Sequence, residues 1–167
     1  MLYRPLAPGA RRLRCVSYTT AEGRQQLLDD LAEAIETLSI ALAELGDAYE
    51  QLDERTADLL EEQLFRPLQL AYGRAQRAHG AFAARTGLVA RAFAQAPASS
   101  PTTRAGELVE DAVERILDAD EIVSELQDSL LPVEVGDPEI RADLSGLREA
   151  LDPLPRRARD LTRALGR

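Results

Sequence analysis

A chain of 167 residues with 45% apolar side chains can bury a real core as one domain, but with 4% aromatics and no Trp that core must be Leu, Ala, Ile and Val. The formal charge of −9 offers phosphates and anionic lipids no general positive field, which disfavours nucleic acid and membrane surfaces as partners. The lone Cys15 cannot form an internal disulfide, and no apolar run approaches the ~18 residues that cross a bilayer, so a cytoplasmic protein is expected.

All 20 basic residues are Arg, and both Lys and Asn are missing. Those two residues have A-rich codons, so the composition points to a GC-rich bacterial genome rather than to a functional choice. Residues 1–19 contain four Arg and no acid, with Pro5, Pro8 and Gly9 breaking any helix. This tail is expected to be disordered and to precede the native start, since Val16 lies just before the first helix and a valine codon can initiate translation in bacteria.

Thr19-Thr20-Ala21-Glu22 has capping-box spacing and predicts a first helix over about 20–53. Leu28, Leu31, Ile35, Leu38, Leu42, Leu45, Tyr49, Leu52, Thr56 and Leu59 recur at steps of three and four, a coiled-coil-like seam. Ala34, Ala41 and Ala48 flank the seam on one side and Ala32, Ser39 and Gly46 on the other, so neighbouring helices can approach closely from two directions. Asp29, Asp30, Glu33, Glu36, Glu44, Asp47 and Glu50 form a solvated outer face.

A turn near residues 53–55, with Thr56 as N-cap, opens a second helix over about 56–94. Its seam is Phe65, Leu68, Tyr72, Ala75, His79, Phe82, Thr86, Val89 and Phe93. Pro67 lies inside it. Either the helix kinks near residues 63–66, the preferred reading, or the first helix continues to Phe65 and Pro67 starts the next. Residues 95–103 read as a linker in which Ser100-Pro101 starts a third helix over about 100–131, with the seam Val109, Ala112, Ile116, Ala119, Val123, Leu126 and Leu130. Pro132 stops it. Asp137-Pro138-Glu139 then opens a fourth helix over about 138–165, whose seam Ile140, Leu144, Leu147, Leu151, Leu154, Ala158, Leu161 and Leu165 keeps phase across Pro153 and Pro155, with Asp152 capping the second piece.

The expected fold is all-α: an antiparallel up-down-up-down four-helix bundle over 20–167, built on a long helical hairpin. The segments 20–55 and 100–131 carry net charges of −8 and −7, while 56–94 and 138–167 each carry +2. Alternating acidic and basic helices would favour neighbours in chain order.

No motif carries chemistry. The only histidine is His79, and no seam position is Asp or Glu, so a dimetal carboxylate site, any other metal centre and any cofactor are not expected. Tyr72 and His79 share the seam and form a polar spot in the core, either the floor of a small cleft or a buried pair that sets register. Arg66, Arg74, Arg77, Arg85 and Arg91 fall within an arc of about 120° opposite the seam, in a stretch with no acid from Gln63 to Gly106. This ridge suits a solvated face, an acidic helix of a partner or second copy, or phosphates. The expected function is therefore a non-enzymatic helical interaction or scaffold protein whose partner is another protein or, as a homodimer, a second copy whose acidic helices meet the ridge. An anion- or nucleic-acid-associated role for the ridge is the alternative. No small-molecule ligand is identifiable from the sequence.

Overall fold

The computed structural model describes residues 20–98 and 102–165, in which the regular elements are helical and no strand occurs. They are α1 (Thr20–Tyr49), α2 (Glu54–Leu60), α3 (Arg66–Thr86), α4 (Ala105–Asp128), α5 (Leu131–Glu134), α6 (Pro138–Leu151) and α7 (Leu154–Leu165), with a π-helical turn (Glu61–Phe65) joining α2 to α3. The expected disordered tail, the Thr19 cap and the Ser100-Pro101 cap lie outside the described residues. No helix among the described residues is long and apolar enough to cross a membrane.

The first helix is shorter than its seam predicts. It ends at Tyr49, which is half-exposed, and the chain tightens through Leu52, whose N–H donates to the Tyr49 carbonyl at 3.2 Å. The cap of the next helix is Asp53, not Thr56: its carboxylate accepts from the Thr56 N–H at 3.2 Å and the Thr56 hydroxyl at 2.7 Å. A carboxylate satisfies an orphan N–H and also meets the positive helix end, so it wins over a neutral hydroxyl.

Pro67 does not start a helix of its own; the chain is helical from Glu54 to Thr86. Proline lacks an N–H and its ring crowds the carbonyl four residues earlier. The helix absorbs this by widening one turn, where the Arg66 N–H donates back to Glu61. That extra residue also explains the break in the seam, because Leu60, Leu64 and Leu68 are buried at spacings of four while Leu59 is 40% exposed. The helix stops at Gly87, seven residues before the predicted end. Gly87 takes a left-handed φ of 72°, where a Cβ would be strained, and Leu88 N–H closes the end on Ala83 at 2.9 Å. Val89, expected on the seam, is exposed.

The connection that follows is the main departure from the expected order. Residues 88–98 do not turn back at once but run along α1 in its own direction. Arg91 pairs with Glu36, Ser39 bonds to Ala94 and Ala96, and Gln51 donates to the Thr103 carbonyl at 2.8 Å. α4 therefore starts where α1 ends and runs antiparallel to it. α6 and α7 return along α3, the π-helical turn and α4. Helices adjacent in sequence are not all adjacent in space, and the up-down-up-down chain order is not found. Acidic α1 lies lengthwise on acidic α4.

The charge argument lost to packing. Ala34, Ala41 and Ala48 lie on the flank of α1 that also carries Glu33, Thr37 and Glu44, the residues that face α4; all three alanines, and Ala112 and Ala119 of α4, are fully buried. Small side chains let two backbones close up and bring Leu38, Leu45, Ile116 and Val123 into one core. Each large side chain so buried contributes about 1.5–3 kcal/mol, whereas an exposed like-charge pair costs a few tenths. α6 and α7 follow the predicted seam from Ile140 through Leu161 across a break at Asp152 and Pro153. Asp152 closes α6 rather than capping α7: its backbone is helical and its N–H donates to Arg148.

One member of the predicted solvated face is not solvated. Glu44 is 8% exposed at the edge of the α1–α4 contact, and its Oε2 has no hydrogen-bond partner. Burial pushes its carboxyl above the ordinary 4.5, with Asp111, Glu114 and Asp47 adding to the rise and Arg115 opposing it. The raised value means the folded state prefers the neutral acid, so this group's contribution is intact below 4.5 and is lost as pH rises through the folded-state value. Glu44→Gln is expected to stabilise the protein at pH 7 by about 0.5–1 kcal/mol, discounted for the solvent at its rim, with the gain vanishing by about pH 4. Denaturant titrations of both proteins at the two pH values check this.

Candidate functional site

The five arginines of the predicted ridge do not form one surface. Arg66 points outward and pairs with Glu61 of its own helix at 2.8 Å. Arg77 points outward without an ion-pair partner among the described residues. Arg74 turns to α6, where its Nη1 donates to the Gly146 carbonyl at 2.7 Å; a Cβ at Gly146 would lie 2.8 Å from that nitrogen. Arg85 clamps the start of α6, with Nε and Nη2 on the two carboxylate oxygens of Asp137 at 2.9 and 3.2 Å and Nη1 on Glu139 at 2.9 Å. Arg91 is not helical at all. It belongs to residues 88–98, pairs with Glu36 and lies 6.0 Å over the ring of Phe93.

Tyr72 and His79 are separated by the same rearrangement. His79 is buried with an unpartnered Nε2, and its ring meets Phe93 edge-on at 5.0 Å between centroids and 81° between planes. Burial holds its pKa below the ordinary 6.5, helped by the charge of Arg91 and opposed by Asp29. It is a neutral ring wedged behind Phe93. Tyr72, half-buried, faces instead into a cleft of about 430 Å³ between α1, α3 and residues 93–98.

Side chains from α1, α3 and the crossing segment converge on that cleft. Phe65, Gln69, Tyr72 and Gln76 form its α3 wall at helical spacing, and Phe93 and Gln95 close it from the crossing segment. Ser39, buried on α1, holds that segment in place: its Oγ accepts from the Ala96 N–H at 3.0 Å and lies 3.5 Å from the Ala94 carbonyl. Sequence reasoning offered Tyr72 as a cleft floor but missed the roof, because a helix drawn to residue 94 puts Phe93 on a seam. The signal was Thr86-Gly87, a helix stop read as helix interior.

The lining offers the amides of Gln69, Gln76 and Gln95, the phenol of Tyr72, the hydroxyl of Ser39, the carboxylate of Asp47 and aromatic rings, groups that can hold a ligand by hydrogen bonds and stacking. Among the described residues no cluster of three or more His, Cys, Asp or Glu is placed to hold a metal ion. Comparison of the chain with family models, with curated proteins and with solved structures finds no match in any of the three. The class of protein is therefore set by the fold alone, an all-helical one.

Proposed function

We propose that this protein is a non-enzymatic helical interaction or scaffold module acting in the cytoplasm, its helices counted as four antiparallel tracks (α1, α2–α3, α4, α6–α7) with one long crossover. The observation that carries the reading is the outer face of α3. Leu70 stands 68% exposed between Arg66 and Arg77, in a stretch with no acid from Gln63 to Gly106. An apolar side chain framed by guanidinium groups suits an acidic helix, with the Leu as anchor and the arginines setting orientation.

A second copy of the chain carries such a surface. Because α1 pairs with α4, the segments of charge −8 and −7 lie together, and Glu33, Asp118 and Glu121 line a shallow groove between them. The occupant we commit to is this groove of another copy. Phosphate binding has less to draw on, since Arg74, Arg85 and Arg91 already have partners within the chain.

Sedimentation equilibrium at about 50 mM and about 500 mM salt tests the proposal. Self-association that weakens at the higher salt, and that is lost in Leu70→Glu and Arg77→Glu, is expected. A monomer at every concentration and both salts, or association indifferent to both substitutions, would overturn it.

A further inference from the structure

From the cleft beneath the crossing segment, we propose that the protein binds a neutral, planar, hydrogen-bonding heterocycle of nucleobase type between α1, α3 and residues 93–98. The site is independent of the outer α3 face.

Three features converge on that ligand class. First, the side-chain amides of Gln69, Gln76 and Gln95 and the hydroxyl of Tyr72 line the cleft, and none of the four has a hydrogen-bond partner among the described residues. An amide presents a donor and an acceptor side by side in one plane, which matches the edge of a heterocycle carrying an adjacent donor and acceptor. Second, Phe65, Tyr72 and Phe93 are three of the five aromatic residues in the described chain, so in a protein poor in aromatics they are concentrated here. Flat rings favour a flat guest and supply contact area at little entropic cost. Third, among the described residues Asp47 is the only carboxylate in the lining and no Arg lines it, so those residues offer an anion no counter-charge. A carboxylate or phosphate group on the ligand is disfavoured, whereas a neutral ring is not.

The roof is held rather than loose. Ser39 bonds the backbone at Ala96 and Ala94, Arg91 reaches Glu36, and the His79 ring packs on the edge of Phe93. The Phe93 ring and the backbone that carries Gln95 are thereby set before any ligand arrives, which lowers the ordering cost of binding. The volume, about 430 Å³, is within the range of small-molecule sites and leaves room for a substituent beyond the ring.

Gly46 provides a way to close the cleft without disturbing its walls. A Cβ there would sit 4.0 Å from Phe65 Cε2, an ordinary contact, so Gly46→Leu replaces a weak helix former by a strong one while filling the space beyond. The test is saturation-transfer NMR and calorimetry on the full chain with adenine, guanine, cytosine, uracil and nicotinamide, and with inorganic phosphate as the charged probe. At least one base is expected to bind with a Kd below about 1 mM, weakened about tenfold or more by Gln76→Leu and by Gly46→Leu, both melting no lower than the parent by more than a few degrees. No transfer to any base, base binding unchanged in both variants, or phosphate binding more tightly than every base overturns the proposal.

Discussion

Ala41→Leu is expected to destabilise the protein by about 3 kcal/mol, lowering the melting temperature by about 6–10 °C. Ala41 is fully buried on the flank of α1 that lies against α4, the most extensive helix contact in the molecule. Two helices that meet through alanine have no gap into which three further heavy atoms can go. The added side chain must either leave its rotamer well or push the backbones apart, and separation along this contact also loosens Leu38, Leu45, Ile116 and Val123. Relieving charge on the same contact is a weak effect by comparison. Glu33→Gln, which removes one acid from the groove rim, is expected to change stability by no more than about 0.5 kcal/mol. Thermal and denaturant unfolding of both variants measures the difference. An Ala41→Leu protein as stable as the parent would sink the account of why α1 chooses α4.

That choice also marks how far the sequence could be read. Spacing at three and four was enough to place the core: nearly every predicted seam residue of α4, α6 and α7 whose side chain is described is buried, with Leu130 the exception at 69% exposed. Periodicity reports which face of a helix is apolar, however, and is silent on which helix will cover it. The pattern of small residues on the two flanks of α1 did hold that information. Ala34, Ala41 and Ala48 meet α4, while Ser39 and Gly46 of the other flank meet the crossing segment and the cleft. Charge was the weaker guide, because exposed ion pairs are worth tenths of a kcal/mol and bend to whatever packing demands.

The candidate site was less legible for a related reason. Its α3 wall could be read from helical spacing, and Tyr72 was singled out by it. Its roof depends on a single residue, Gly87, whose left-handed conformation diverts the chain seven residues before the predicted helix end. Once diverted, Phe93 reaches the core from a loop rather than from the helix, and Arg91 leaves the ridge for Glu36. One wrongly placed helix end thus misplaced an aromatic, a cation and the cleft together. The π-helical turn is a milder case: Pro67 announced a distortion, and the phase slip between Leu59 and Phe65 was its sequence trace, but only the geometry shows the inserted residue at Glu61–Phe65.

The second large effect is at the other end of α3. Asp137→Ala is expected to cost about 2–3 kcal/mol, because one carboxylate performs two tasks. As N-cap of α6 it accepts from the N–H groups of Glu139 and Ile140, both at 3.0 Å, a contribution of about 1 kcal/mol. It also receives the two-pronged contact from Arg85 in the last turn of α3, with its side chain only 12% exposed. Charge-assisted and half-desolvated, that contact adds about 1–2 kcal/mol and ties the negative end of α3 to the positive end of α6. Burial alone would push the Asp137 carboxyl up, but the hydrogen bond and charge of Arg85 and the two backbone donors outweigh it and hold it below the ordinary 3.8. A depressed value means the stabilisation is present above 3.8 and is lost as pH falls through the folded-state value, so the gap between parent and variant should close in acid. Arg85→Ala removes only the second task and should cost less than Asp137→Ala, while Asp137→Asn, which can still cap, should fall between the parent and Asp137→Ala. Urea unfolding of the three variants at pH 7, and of Asp137→Ala at low pH, separates the tasks. Equal losses from Asp137→Asn and Asp137→Ala would show that the cap contributes nothing, and a gap that persists in acid would show that the carboxylate charge does not. The latch matters because residue 87, where the chain departs to form the cleft roof, follows Arg85 by two positions: whatever frees this end of α3 also frees the segment that carries Phe93.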